Sequence, residues 1–150
     1  MKYLLPLPLL ALLALAGPAA PARADALPAF SLTTSAHVDA YAAPGQAVTV
    51  PWFTEDSGAD PLSISMQTAE YTLLAIQHPA IGWVQSLSPS QFILTSGQYQ
   101  DVHVTVDVPD GTAPGDYYVN IAVSATDATC SANCVGAVVA GTLEVHVSGS

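Results

Sequence analysis

The chain has 150 residues, with only two Lys or Arg against twelve Asp or Glu and a formal net charge of −10 at pH 7. Both basic residues, Lys2 and Arg23, sit near the amino terminus, so residues 25–150 contain no Lys or Arg. Nucleic acid and anionic membrane surfaces are argued against as partners, because binding them needs cations that displace counterions. Charged residues make up only 9% of the chain against a typical ~25%, so the acidity reflects missing bases more than abundant acids.

The chain opens on Met1-Lys2-Tyr3, followed by an apolar run from Leu4 to Ala16 and the small-x-small triplet Ala22-Arg23-Ala24. One positive charge, a short apolar core and such a triplet describe a secretory signal peptide, residues 1–24, with cleavage after Ala24 or nearby. The run is too short to span a bilayer, and Pro6 and Pro8 interrupt it. The expected destination is the periplasm or the extracellular space, without membrane insertion after cleavage. Residues 25–150 are enough for one domain that folds without a metal.

From residue 45 the dominant signal is alternation with period two, and no helical stripe competes with it. Val48, Val50 and Trp52 share one parity, with Pro51 predicting a bulge or a free edge. Leu62, Ile64 and Met66 share another. The clearest run is Asp101–Val108, with four valines on one face and Asp, His, Thr and Asp on the other. Tyr117, Val119, Ile121 and Val123 repeat the pattern, as do Leu143, Val145 and Val147. Turn sequences separate the runs: Ala43-Pro44-Gly45, Asp56-Ser57-Gly58, Ser96-Gly97, Pro109-Asp110-Gly111 and Ala113-Pro114-Gly115. Seven to eight short, β-branched strands with regular punctuation predict an all-β antiparallel sandwich.

Residues 82–125 carry a more specific pattern: Gly82-Trp83, then Ser88-Pro89, an apolar strand ending at Gly97, a Val-rich strand, Val108-Pro109 and Ala113-Pro114-Gly115-Asp116-Tyr117. This resembles the bacterial and archaeal immunoglobulin-like modules found beside glycosidase catalytic domains, the NPCBM-associated type. It is also similar to the peptidoglycan-binding domain of WxL-interacting proteins. The resemblance implies an immunoglobulin-like sandwich with Trp83 as a core anchor, Gly97 in a turn and Pro109 at a strand exit. It further implies a corner built from Pro114, Gly115 and Tyr117, the tyrosine ring packed inside and its hydroxyl bonded to backbone.

Few constellations carry chemistry. Cys130 and Cys134 in an exported chain read as a disulfide across a tight loop. Zinc would want four ligands, and a redox pair would more usually be Cys-x-x-Cys beside a helix. Glu55, Asp56 and Asp60 crowd one loop and are the candidate calcium ligands. Tyr99 and Tyr118 oppose their strands' apolar parity or lie in a turn, and are candidate ligand contacts for a sugar ring. His37, His78, His103 and His146 read as surface histidines, with His103 and His146 expected on opposite sheets. The chain has no Gly-x-Ser-x-Gly, no His-Glu-x-x-His and no glycine-rich phosphate loop, so neither a catalytic residue nor a cofactor is assigned.

The expected function is that of a secreted, non-enzymatic binding or structural module of the bacterial cell envelope or extracellular space, with protein or cell-wall glycan as partner. A carbohydrate- or peptidoglycan-contacting accessory domain beside a separate enzyme is the alternative. A small secreted hydrolase is the third reading.

Overall fold

In a computed structural model, residues 29–70, 78–134 and 136–149 are described. The expected signal peptide, residues 1–24, lies outside them. Ten strands follow in chain order: β1 (Leu32–Thr34), β2 (His37–Ala42), β3 (Ala47–Asp56), β4 (Leu62–Ala69), β5 (His78–Pro79), β6 (Val84–Ser88), β7 (Gln91–Leu94), β8 (Tyr99–Asp107), β9 (Gly115–Asp127) and β10 (Gly136–Val147). A single 3-10 turn, Ile81–Trp83, precedes β6. Among the described residues no helix is long and apolar enough to cross a membrane.

The strands form two sheets. One runs β1-β3-β8-β6, the other β2-β10-β9-β4-β7 with the short β5 beside β9. Alternation decides what lies between them. Val102, Val104, Val106 and Val108 are fully buried from the first sheet, and Val119, Ile121, Val123, Leu143 and Val145 from the second. Period-two side chains reach opposite faces, so the valines of β8 alternate with the outward-facing Asp101, His103, Thr105 and Asp107.

Consecutive strands do not stay in one sheet. β1 pairs antiparallel with β3, yet β2 crosses over and pairs in parallel with β10. The crossing at Ser35–Ala36 is held on both sides. Ser35 N donates to Phe53 O at 3.0 Å, Ser35 Oγ accepts from Phe53 N at 3.0 Å, and Thr142 N donates to Ala36 O at 2.9 Å.

The largest fully buried side chain is Trp52 of β3. Its Nε1 donates to Thr34 Oγ1 at 2.9 Å, and the same hydroxyl donates to Phe53 O at 2.9 Å and meets the buried Thr54 Oγ1 at 3.2 Å. The indole lies over Gly141 of β10, where a Cβ would collide with Ser35 O and come within 2.7 Å of Trp52 Cζ2.

One expectation is corrected here and another is met in one of its two forms. Trp83 is not the buried anchor. It is half-buried in the 3-10 turn and packs on the edge of the core, its ring 4.4 Å from that of Tyr117. The indole that fills the interior belongs to the alternating strand instead. Of the bulge or free edge expected at Pro51, the structure has the free edge: the β3–β8 register passes through it unbroken, and β1 stops opposite Thr54.

The corner residues take these places. Tyr117 is buried and its hydroxyl donates to Ala113 O at 2.9 Å, with Pro114 and Gly115 between them. Gly97 has φ of +74°, in the region that favours glycine, and its N–H donates to Asp56 O at 2.8 Å. Val108 exchanges backbone bonds with Gly45 and Gln46 immediately before Pro109 ends the pairing.

Removing a buried indole costs about 3–5 kcal/mol, and forcing an extra methyl into a filled core about 1–3 kcal/mol. Trp52→Ala is therefore expected to lower the melting temperature more than Trp83→Ala, and Gly141→Ala to be clearly destabilising despite adding one carbon. Thermal melts of the three variants check this order. A Gly141→Ala melt equal to wild type would show that Trp52 does not need that contact.

Candidate functional site

The residues with the most chemistry lie on the outer face of the second sheet, where β2, β10 and β9 run side by side. Register places them in three cross-strand rows: Tyr41–His146–Asp116, Asp39–Glu144–Tyr118 and His37–Thr142–Asn120. Each strand gives alternate residues to the core, Ala40 and Ala42 from β2, Leu143, Val145 and Val147 from β10, and Tyr117 and Val119 from β9. The intervening side chains must therefore point outward together.

His146 is the hub. Its Nε2 lies 2.9 Å from Asp39 Oδ1 and its Nδ1 lies 2.8 Å from Asp116 Oδ1. Both ring nitrogens can donate only when the ring is doubly protonated, so this geometry favours the imidazolium. The hydrogen bond to Asp39 raises the His146 pKa above its ordinary 6.5; partial burial opposes this, and Asp116 and Glu144 add to it. Asp39 is held below its ordinary 3.8 by the bonds from His146 and then His37. His37 Nε2 stands 3.2 Å from Asp39 Oδ1 and 3.3 Å from Glu144 Oε2. Tyr118 donates its hydroxyl to Glu144 Oε1 at 2.9 Å.

An exposed aromatic borders this polar network. Tyr41 is 70% exposed and stacks on the His146 ring at 4.7 Å. Beside the pair is a shallow depression of about 290 Å³ lined by Tyr41, Ala42, Ala43, Gln46, His146, Val147 and Ser148.

The residues singled out from the sequence are dispersed by the fold. Tyr118 belongs to this face, but Tyr99 is on the outer face of the other sheet, stacked on Phe53 at 5.8 Å. His103 is likewise exposed on β8, on the opposite sheet from His146. His78 packs edge-on against Tyr117 at 5.1 Å.

The candidate calcium ligands do not converge. β3 continues through Asp56, and the parity that buries Trp52 and Thr54 buries Asp56 as well, while Glu55 turns to the other face and Asp60 is exposed. Asp56 instead accepts from Gly58 N at 2.8 Å within the interior. Among the described residues, the groupings of His, Cys, Asp and Glu close enough to share an ion are His37–Asp39–Glu144 and Asp116–Glu144–His146.

Cys130 and Cys134 form a disulfide in the loop between β9 and β10, with Cα atoms 5.6 Å apart. Asp127 starts that loop, accepting from both Thr129 Oγ1 and Thr129 N at 2.7 Å, and these bonds hold its pKa below the usual value.

Sequence reasoning missed His37, Asp39, Tyr41, Asp116, Glu144 and His146 as a group. The outward parity of Glu144 and His146 was readable, but their neighbour β2 lies more than a hundred residues upstream and joins them by a parallel pairing.

The fold and this face define a class: a two-sheet, immunoglobulin-like sandwich with an open polar–aromatic face. The chain belongs to the family described as the NPCBM-associated, NEW3 domain of alpha-galactosidase, whose profile matches residues 42–126. No curated protein matches it in sequence. Among solved structures it is similar to the PapD-like domain 7 of human CEP192, at 13% identity and a TM-score of 0.58, covering 93% of this chain and 99% of that one. A chain of the Salmonella enterica SafA pilin–SafB chaperone complex matches at 11% identity and a TM-score of 0.58, covering 79% of this chain and 55% of that chain. The E. coli chaperone DraB matches at 12% identity and a TM-score of 0.52, covering 77% of this chain and 54% of that chain. At these identities the likeness concerns the fold alone.

Two outcomes follow from the geometry. A raised histidine pKa contributes stability that is complete below the ordinary value and lost as pH rises through the raised one. The depressed Asp39 contributes stability that is present above the ordinary carboxylate value and lost as pH falls through the lowered one. The melting temperature is therefore expected to rise from pH ~8 to pH ~5, and His146→Gln to flatten that rise. Melts of both proteins at the two pH values decide it; equal slopes would remove His146 from the account. The disulfide closes so short a loop that chain entropy gives it only about 2 kcal/mol. The oxidised protein should show no reactive thiol, and the Cys130→Ser/Cys134→Ser variant should stay folded at room temperature with a lower melt.

Proposed function

We propose that this chain is a secreted, non-catalytic accessory module that contacts a glycan through the outer face of β2, β10 and β9. The observation that carries the reading is the Tyr41–His146 stack, an exposed aromatic ring beside acceptors and donors fixed by strand register. Sugar rings offer apolar C–H faces with a hydroxyl rim, and a rigid aromatic flanked by carboxylates and imidazole matches both. The face is an open sheet surface with a shallow depression, suited to lying along an extended polymer rather than enclosing a substrate. The family's description, a domain associated with alpha-galactosidase, points to the same chemistry. A disulfide and a signal-like amino terminus support an oxidising compartment outside the cytoplasm, extracellular or periplasmic.

Losing an aromatic anchor at the centre of a contact typically costs at least tenfold in affinity. In binding to immobilised cell-wall and galactose-containing polysaccharides, Tyr41→Ala is expected to lose at least that, and Tyr99→Ala, on the other sheet, to match wild type. Loss in Tyr99→Ala alone would move the contact to the Phe53–Tyr99 pair. Binding to a purified protein partner but to no polysaccharide would replace the glycan reading with a protein-docking one.

A further inference from the structure

We infer that His37, Asp39 and Glu144 form a binding site for one divalent transition-metal ion of the zinc type, which ties the edge strand β2 to β10. The site shares a face with the proposed glycan contact but does not depend on it, since it rests on the donor geometry alone.

Three donors meet at one point. His37 Nε2 is 3.2 Å from Asp39 Oδ1 and 3.3 Å from Glu144 Oε2, and all three ligand atoms lie within 4.8 Å of one another. A tetrahedral zinc with bonds of about 2.0–2.1 Å has ligand-to-ligand edges of roughly 3.3–3.4 Å, so two of the three edges are already near that length. A single imidazole N–H cannot point at both oxygens at once; a cation among the three atoms satisfies the nitrogen lone pair and both carboxylates together.

The surrounding groups orient these ligands. Tyr118 occupies Glu144 Oε1 and leaves Oε2 toward His37. His146 Nε2 bonds the same Asp39 Oδ1 that faces His37 and is itself anchored on Asp116, so that oxygen is positioned from outside the triad while its remaining lone pair faces His37. Charge argues in the same direction. Asp39, Asp116 and Glu144 lie within one patch, and with no Lys or Arg in residues 25–150 the single charge of the His146 imidazolium leaves two negative charges over. A dipositive ion held by one uncharged imidazole and two carboxylates leaves no net charge on the ion and its three ligands. The imidazole donor selects a borderline ion such as zinc over calcium or magnesium, which prefer oxygen alone.

The backbone supplies rigidity. His37 and Asp39 are two apart on β2 and so share its outer face, while Glu144 stands opposite Asp39 in the parallel β2–β10 register. Ligands thus come from two paired strands rather than from a loop.

Isothermal titration of Zn2+ into the chelator-treated, untagged secreted protein tests the site, with thermal melts in parallel. One equivalent should bind and the melting temperature should rise with Zn2+ concentration. His37→Ala and Glu144→Gln should each abolish this, Tyr118→Phe should weaken affinity about 10-fold or more, and His103→Ala should leave it unchanged. Circular dichroism confirms that each variant is folded. No binding by the folded wild type, equal binding by His37→Ala, or equal affinity for Ca2+ would overturn the inference. Polysaccharide binding repeated with chelator separates the two readings: glycan contact that persists while the zinc titration fails removes only the metal, and zinc bound without any glycan contact removes only the glycan.

Discussion

The packing of Trp52 onto Gly141 is the contact on which the other features depend. It joins the two sheets at the second strand of each, where one indole fills the space left by a missing side chain on the facing strand. Interiors are close-packed, so this ring sets how near β3 and β10 can approach and which residues of each lie inward. The Thr34 hydroxyl beside it satisfies the indole N–H and links β1 to the same point. Ser35 touches the same spot from the chain's crossing between sheets, so the contact also determines where β2 enters the second sheet.

That entry point governs the site. A slip of one residue between β2 and β10 would turn His37, Asp39 and Tyr41 inward and leave Glu144 and His146 with apolar neighbours. The polar rows therefore exist because the apolar rows beneath them are in register. Burial of Ala40 and Leu143 and the outward direction of Asp39 and Glu144 are two consequences of one alignment. The missing Lys and Arg sharpen the result: histidine is the only side chain in residues 25–150 that can become a cation, and the two that reach this face gather three carboxylates around them.

Most of the fold was legible because alternation is a local signal. The valines at 102, 104, 106 and 108 and the apolar parity of 117–123 and 143–147 all proved to be the interior. The tyrosine corner at 117 was legible too, since Ala113-Pro114-Gly115 and the ring that closes it are within five residues. The errors have definite causes. Glu55-Asp56 was read as loop because of the following Ser-Gly, although the parity of Trp52 and Thr54 runs on to Asp56 and sends it inward. The Gly-Trp context points to Trp83 as the anchor, whereas the fully buried indole is Trp52, which shares the parity of Val48 and Val50. The site was illegible for a different reason. Period two shows which way Asp39 and Glu144 point, but nothing local says that strands so far apart are neighbours.

The parallel pairing of β2 with β10 has a mechanical side. β2 lies near the start of the domain and β10 at its end, and six consecutive residue pairs join them, His37–Ala42 with Thr142–Val147. Because the strands point the same way, a pull applied between the two ends of the domain acts along both strands in opposite directions. The evenly spaced bonds of a parallel ladder then bear the load together in shear, instead of parting one after another as they would when a hairpin is opened from its end. A module held at one end and dragged from the other, as when a polymer or a surface moves past it, meets that force with the seam beneath its own polar face.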